Sequence, residues 1–146
     1  MRKVLIVKSD KDTNFTDTLT QHNFATANLT GLGANDCSIR NVIVQSKQNL
    51  AYDVFIFSKD THEDTDYDVD SYLASVSFDA PDGKQLAGAG GYYYNGATSG
   101  LNALSSDCIV YHDEDLTSEL HCAIVNRDGT SKVTGVTGEV VVKFVC

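Results

Sequence analysis

Gly138-Glu139-Val140-Val141-Val142-Lys143-Phe144-Val145-Cys146 is the stretch that decides the fold class. In an extended chain Val140, Val142, Phe144 and Cys146 fall on one side and Glu139, Val141, Lys143 and Val145 on the other, because successive side chains of a strand point to opposite faces. β-branched and aromatic residues dominate it, which suits a pleated, half-buried surface. The same period recurs upstream. Arg40-Asn41-Val42-Ile43-Val44-Gln45 and Tyr52-Asp53-Val54-Phe55-Ile56-Phe57-Ser58 read as strands, with Asn49 and Leu50 in the short connection between them. Residues 71–78 place Tyr72, Ala74, Val76 and Phe78 on one face. Residues 84–94 read as a glycine-punctuated strand ending in three tyrosines, and residues 108–111 and 119–126 complete the set.

Turn chemistry separates these strands. Pro81-Asp82-Gly83 predicts a tight turn in which proline sets φ and glycine supplies φ > 0. Asn95-Gly96 and Asp128-Gly129 are similar signals. No segment carries a sustained apolar stripe of helical period, and residues 14–19 and 100–104 offer one or two turns at most. Seven or eight short strands between turns predict an all-β domain, a β-sandwich or jelly roll. A chain of 146 residues with 42% hydrophobic content supplies one core.

We assign residues 37–146 to the body of that sandwich. Residues 1–36 read in two ways. They form edge strands of the same sandwich, or an arm that carries Val4, Ile6, Phe15 and Phe24 onto a neighbouring subunit.

Charge excludes several partners. Twenty acids against 11 bases give a net charge of −9, and the bases form no run, so nucleic acid and membrane surfaces are not expected partners. The apolar run at residues 4–7 is far shorter than a signal-peptide core and is closed by Lys8, so synthesis in a reducing compartment is expected. Cys37, Cys108, Cys122 and Cys146 are scattered with no zinc-ligand spacing and read as small hydrophobes. A Cys108–Cys122 disulfide is geometrically conceivable between paired strands, but it is not expected in a cytoplasmic product.

The residues that bear chemistry are few. Six of the 20 acids fall within residues 60–70, where Asp64, Asp66, Asp68 and Asp70 alternate. A hard cation such as Ca²⁺ takes oxygen ligands of that kind, but the glycine and closing glutamate of an EF-hand loop are missing. A solvated acidic loop, or a docking surface for a basic partner, accounts for the same residues. His22, His62, His112 and His121 sit on separate elements, and His121 and Cys122 point to opposite faces of their strand. Asp113-Glu114-Asp115 reads as a loop rather than a pair of catalytic carboxylates. No nucleophile elbow, P-loop or zinc-protease motif is present, so a non-enzymatic protein without a cofactor is expected. Tyr92, Tyr93 and Tyr94 split between two faces, and tyrosine on an outer face suits an interface.

Residues 41–53 (Asn-Val-Ile-Val-Gln-Ser-Lys-Gln-Asn-Leu-Ala-Tyr-Asp), residues 82–90 and the ending at residues 137–144 resemble small structural proteins of tailed bacteriophages, over roughly residues 40–146. Those proteins look like head decoration, or cement, proteins. The resemblance implies a β-sandwich or jelly-roll body seated on the major capsid protein of an assembled shell, often as a homotrimer. It also implies virion localisation after synthesis in the host cytoplasm, with residues 1–36 as the segment that threads between capsid subunits. The alternatives are a fibre or baseplate sandwich, or a carbohydrate-binding module that uses Tyr92 and Tyr94. The absence of tryptophan counts against sugar stacking.

Overall fold

The computed structural model describes residues 4–8, 14–15, 23–28, 35–59, 71–86, 88, 91–96, 109–126, 132–133 and 140–146. Among them are thirteen strands: β1 (Val4–Lys8), β2 (Asn14–Phe15), β3 (Asn23–Asn28), β4 (Asp36–Ile39), β5 (Asn41–Ser46), β6 (Tyr52–Phe57), β7 (Tyr72–Phe78), β8 (Lys84–Gln85), β9 (Tyr92–Asn95), β10 (Ile109–His112), β11 (Glu119–Asn126), β12 (Lys132–Val133) and β13 (Val140–Val145). No α-helix occurs among the described residues. The acidic segment 60–70, which joins β6 to β7 in the sequence, lies outside them, and so do residues 100–104, Asp128-Gly129 and Cys108.

The pairings are nested. β1 pairs with β13, β2 with β12, β3 with β11, β4 with β10, β5 with β9 and β6 with β7, all antiparallel. The chain is thus one long ribbon folded back on itself between β6 and β7. Two further pairings, β13 with β5 and β11 with β6, roll that ribbon up. The result is a five-stranded sheet, β1-β13-β5-β9-β8, and a four-stranded sheet, β3-β11-β6-β7. Eight principal strands wound in this order make a β-sandwich with jelly-roll winding. β1 and β3, the main strands of the first 36 residues, lie at sheet edges.

One core joins the two sheets. Leu5, Val42, Val44, Tyr94, Val140, Val142 and Phe144 come from the five-stranded sheet, and Tyr52, Val54, Ile56, Val76, Phe78, Leu120, Cys122 and Ile124 from the four-stranded one. Each fully buried aliphatic or aromatic side chain here contributes about 1.5–3 kcal/mol by leaving water. The alternation in residues 140–145 therefore became a buried and a half-buried face, with Val140, Val142 and Phe144 inward. Tyr94 keys the centre, its ring edge-on to Tyr52 at 5.5 Å and to Phe78 at 5.7 Å. Its hydroxyl accepts from the Leu50 N–H at 3.1 Å, with the Leu50 carbonyl and Asn49 Oδ1 each 2.8 Å away to receive its proton.

Three local expectations are corrected. Gly83 has φ −71°, not a positive φ, and follows a single 3₁₀ turn at Ala80–Asp82. Space requires the glycine there: a Cβ would stand 2.8 Å from Tyr94 Cζ and 2.9 Å from Asn49 Oδ1. Residues 84–94 are two short strands, folded back at Gly91, whose φ is +81° and whose carbonyl accepts from the Leu86 N–H at 2.7 Å. Tyr72 leaves the core face. The β6–β7 register skips Leu73 between the pairs Ile56↔Ala74 and Phe57↔Tyr72, so a bulge turns the Tyr72 ring onto Phe57 and Phe55.

Candidate functional site

The outward face of the five-stranded sheet is one arrangement that the core does not use. On β1, Leu5 points inward while Val4 and Ile6 are 47% and 51% exposed. Across the sheet, Val4 lies beside Val145 and Asn41, and Ile6 beside Lys143, Ile43 and Asn95. A further row runs Val141, Gln45, Tyr93, Lys84. Asn95 is tied into the face by the Asn41 amide at 2.9 Å. The face is aliphatic at its β1 end and polar at its β9 end. Lys84 and Lys143 are its charged groups among the described side chains, in a chain of net charge −9.

A second arrangement closes one end of the sandwich. The β10–β11 loop begins at Asp113, whose carboxylate has no exposed surface. Oδ2 accepts from the Thr117 N–H (2.9 Å), the Thr117 hydroxyl (2.9 Å) and the Glu119 N–H (3.0 Å), and Oδ1 from the Asp115 N–H (3.1 Å). His121 Nε2 lies 3.2 Å from Oδ1 and 3.7 Å from Asp115 Oδ2. Burial by itself would raise the Asp113 pKa. The donors from Glu119, Thr117, His121 and Asp115 outweigh it and hold the group below its ordinary 3.8.

The loop they pin carries two left-handed residues, Leu116 (φ 57°) and Ser118 (φ 59°), conformations that cost about 1 kcal/mol or more each. Ties to other strands hold it. Asn35 Oδ1 accepts from the Ser118 N–H and hydroxyl, Glu114 N–H donates to the Ser58 carbonyl at 2.7 Å, and the Ser58 hydroxyl donates to Glu114 Oε2 at 2.7 Å. Nearby, Tyr111 donates to the Glu119 carbonyl and accepts from the His121 N–H. Burial pushes the Tyr111 phenol well above its ordinary value.

Asp113, Asp115 and His121 are near enough together to invite a metal reading. The donor chemistry argues against it. The Asp113 oxygens already accept five hydrogen bonds, and Ca²⁺ takes six to eight oxygens. A ligating histidine also anchors its other ring nitrogen, whereas His121 Nδ1 is buried without a partner. Nε2–H donating to Asp113 is the tautomer this geometry fits. The arrangement is a structural buckle.

The sequence candidates are scattered by the fold. Tyr94 is fully buried, Tyr92 packs against the core from its margin, and Tyr93 is half-buried on the outer sheet face. Val4 and Ile6 lie on that same face. Phe15 and Phe24 belong to β2 and β3. Asp64, Asp66, Asp68 and Asp70 lie outside the described residues. His121 and Cys122 do point apart, Cys122 into the core and His121 to the buckle.

Sequence reasoning missed Ile43, Val141 and Val145 as members of an outer apolar face. The signal was present, because the runs Val42-Ile43-Val44 and Val140-Val141-Val142 are apolar on both faces of the strand. It also missed the buckle, whose signal is an Asp with a Thr four residues on, in the loop between β10 and β11. No known family, curated protein or solved structure matches the chain.

Proposed function

We propose that this chain is a non-enzymatic accessory protein of a tailed-phage virion, a decoration protein that docks on the assembled major capsid protein shell and stabilises it. The observation that carries the reading is the outward face of the five-stranded sheet, a broad, strand-ordered surface that is apolar around Val4, Ile6, Ile43, Val141 and Val145. Contiguous exposed apolar surface of this kind marks a protein-binding site. Lys84 and Lys143 without a described carboxylate beside them suit a shell surface of acidic character and disfavour pairing of this face with its own copy. The resemblance of residues 40–146 to small virion proteins gives the partner class. Within the same reading the protein acts as a homotrimer on the particle and needs no cofactor. The carbohydrate alternative is less well supported, because its Tyr94 is enclosed in the core and offers no stacking face.

The test is co-sedimentation of purified protein with shells of the parent phage stripped of accessory proteins. Saturable binding is expected, over an interface of about 1,000 Å² or more. Ile6→Glu and Ile43→Lys should each weaken it at least tenfold while leaving the fold intact. Unmodified protein that stays out of the shell fraction, or variants that bind like it, would refute the assignment.

A further inference from the structure

Cys37 and Cys146 are brought together by the roll of the ribbon. β4 continues into β5 through Arg40, whose N–H donates to the Val145 carbonyl at 2.7 Å, one step beyond the last β5–β13 partners Asn41 and Val145. Cys146 follows Val145 beside Arg40, just past the end of β4, the strand on which Cys37 lies opposite Tyr111 of β10. The two thiols are within hydrogen-bonding reach of each other. Both are half-buried and packed against the margin of the core, and both are free thiols. Cys122 is different: it is enclosed in the core, and burial pushes its thiol up to about 12.

We propose that Cys37 and Cys146 form a redox-modification site, a dithiol that closes to a disulfide and staples the end of β13 to β4. The inference stands on the paired thiols alone and is independent of the virion reading. Either sulfur can open the reaction, because the thiol hydrogen bond between them favours the thiolate of the one that accepts it.

The oxidant is a small-molecule disulfide of the glutathione class. One thiolate, for example that of Cys146, attacks one of its sulfurs, forming a mixed disulfide and releasing one glutathione thiolate, which takes up a proton. Cys37 then loses its proton and attacks the Cys146 sulfur, forming the Cys37–Cys146 bond and releasing the second glutathione. Two protein thiols are oxidised and one glutathione disulfide is reduced to two thiols. The bridge closes residues 37–146 into one covalent loop, which restricts the unfolded chain more than the folded one.

The experiment is to incubate the reduced, folded chain with glutathione disulfide, trap remaining thiols by alkylation and map the linkages by digestion without reduction. A linked peptide pair containing Cys37 and Cys146 is expected, with Cys122 alkylated only after unfolding. Cys37→Ser should instead accumulate a lasting glutathione adduct on Cys146. A glutathione adduct that persists on the unmodified chain, two thiols that stay free, or a bridge through Cys108 would overturn the proposal. The map of the unmodified chain decides the matter even where the variant does not fold.

Discussion

Phe57 and Ile6 both point away from the shared core, yet Phe57 is fully covered whereas Ile6 stands half in solvent. The contrast extends to their neighbours, except at the β7 edge of the four-stranded sheet, where Tyr72 and Leu73 are themselves exposed. On the outward side of the four-stranded sheet, Ala123 and His121 are buried, and Phe57 sits under the ring of Tyr72 at a centroid distance of 6.2 Å. On the outward side of the five-stranded sheet, Val4 and Ile6 remain exposed and the aliphatic residues of β5 and β13 are half-buried. Apolar residues that the fold covers contribute to stability. Those left exposed add little to it. The two sheets differ in this respect, so substitutions on them should separate stability from the binding proposed for the five-stranded face.

The largest effect is expected from Phe57→Ala. Truncating a covered aromatic side chain should cost about 3–5 kcal/mol, read from urea unfolding. A cost below 1 kcal/mol would mean that this outer face is as open as the other, and the comparison would fail. Asp113→Asn comes next. It places an amide where a carboxylate accepts five hydrogen bonds, and should cost about 3 kcal/mol by loosening the loop with its left-handed Leu116 and Ser118.

The pH dependence follows from the same group. The folded-state pKa of Asp113 is depressed, so its contribution is complete above the unfolded value near 3.8 and is lost as pH falls below that through the folded value. Acid unfolding should therefore steepen below pH 3.8, and Asp113→Asn should flatten that limb. An unchanged acid limb would assign the pH sensitivity to other carboxylates.

Tyr94→Phe removes one buried hydroxyl and leaves the Leu50 N–H and Asn49 Oδ1 without it, for about 1–2 kcal/mol. The smallest effect on stability belongs to Ile6→Glu, within about 0.5 kcal/mol of the unmodified protein by the same unfolding measurement. A cost comparable to that of Phe57→Ala would show that the five-stranded face is already covered in free solution. Light scattering would then show a self-associated species instead of an open docking surface.

Much of the fold was legible in residues 40–58, 71–78, 119–126 and 140–145, because a period of two in β-branched residues has one physical reading. Val140, Val142 and Phe144 were set on one common face on that ground and are buried. Tyr72 was misassigned because a bulge is a one-residue change of register that composition does not signal. Gly83 was misassigned because a glycine needed for space and a glycine needed for positive φ look the same in a sequence. The outer sheet face was half legible: Val4 and Ile6 alternate with Leu5 in plain view, but their neighbours Val145 and Lys143 come from the other end of the chain.

The sequence by itself determined the all-β class, the two faces of the last strand and the acidic, motif-poor character of the protein, since these depend on local periodicity and on charge. Tertiary structure alone decided the order of the strands. Val142 pairs with Val7 on one side and Val44 on the other, and no local pattern encodes partners so far apart. The same roll of the ribbon set Asp113 beside His121, left Val4 and Ile6 of β1 half-exposed and brought Cys37 against Cys146, because contacts between distant residues exist only after the loops between them have closed.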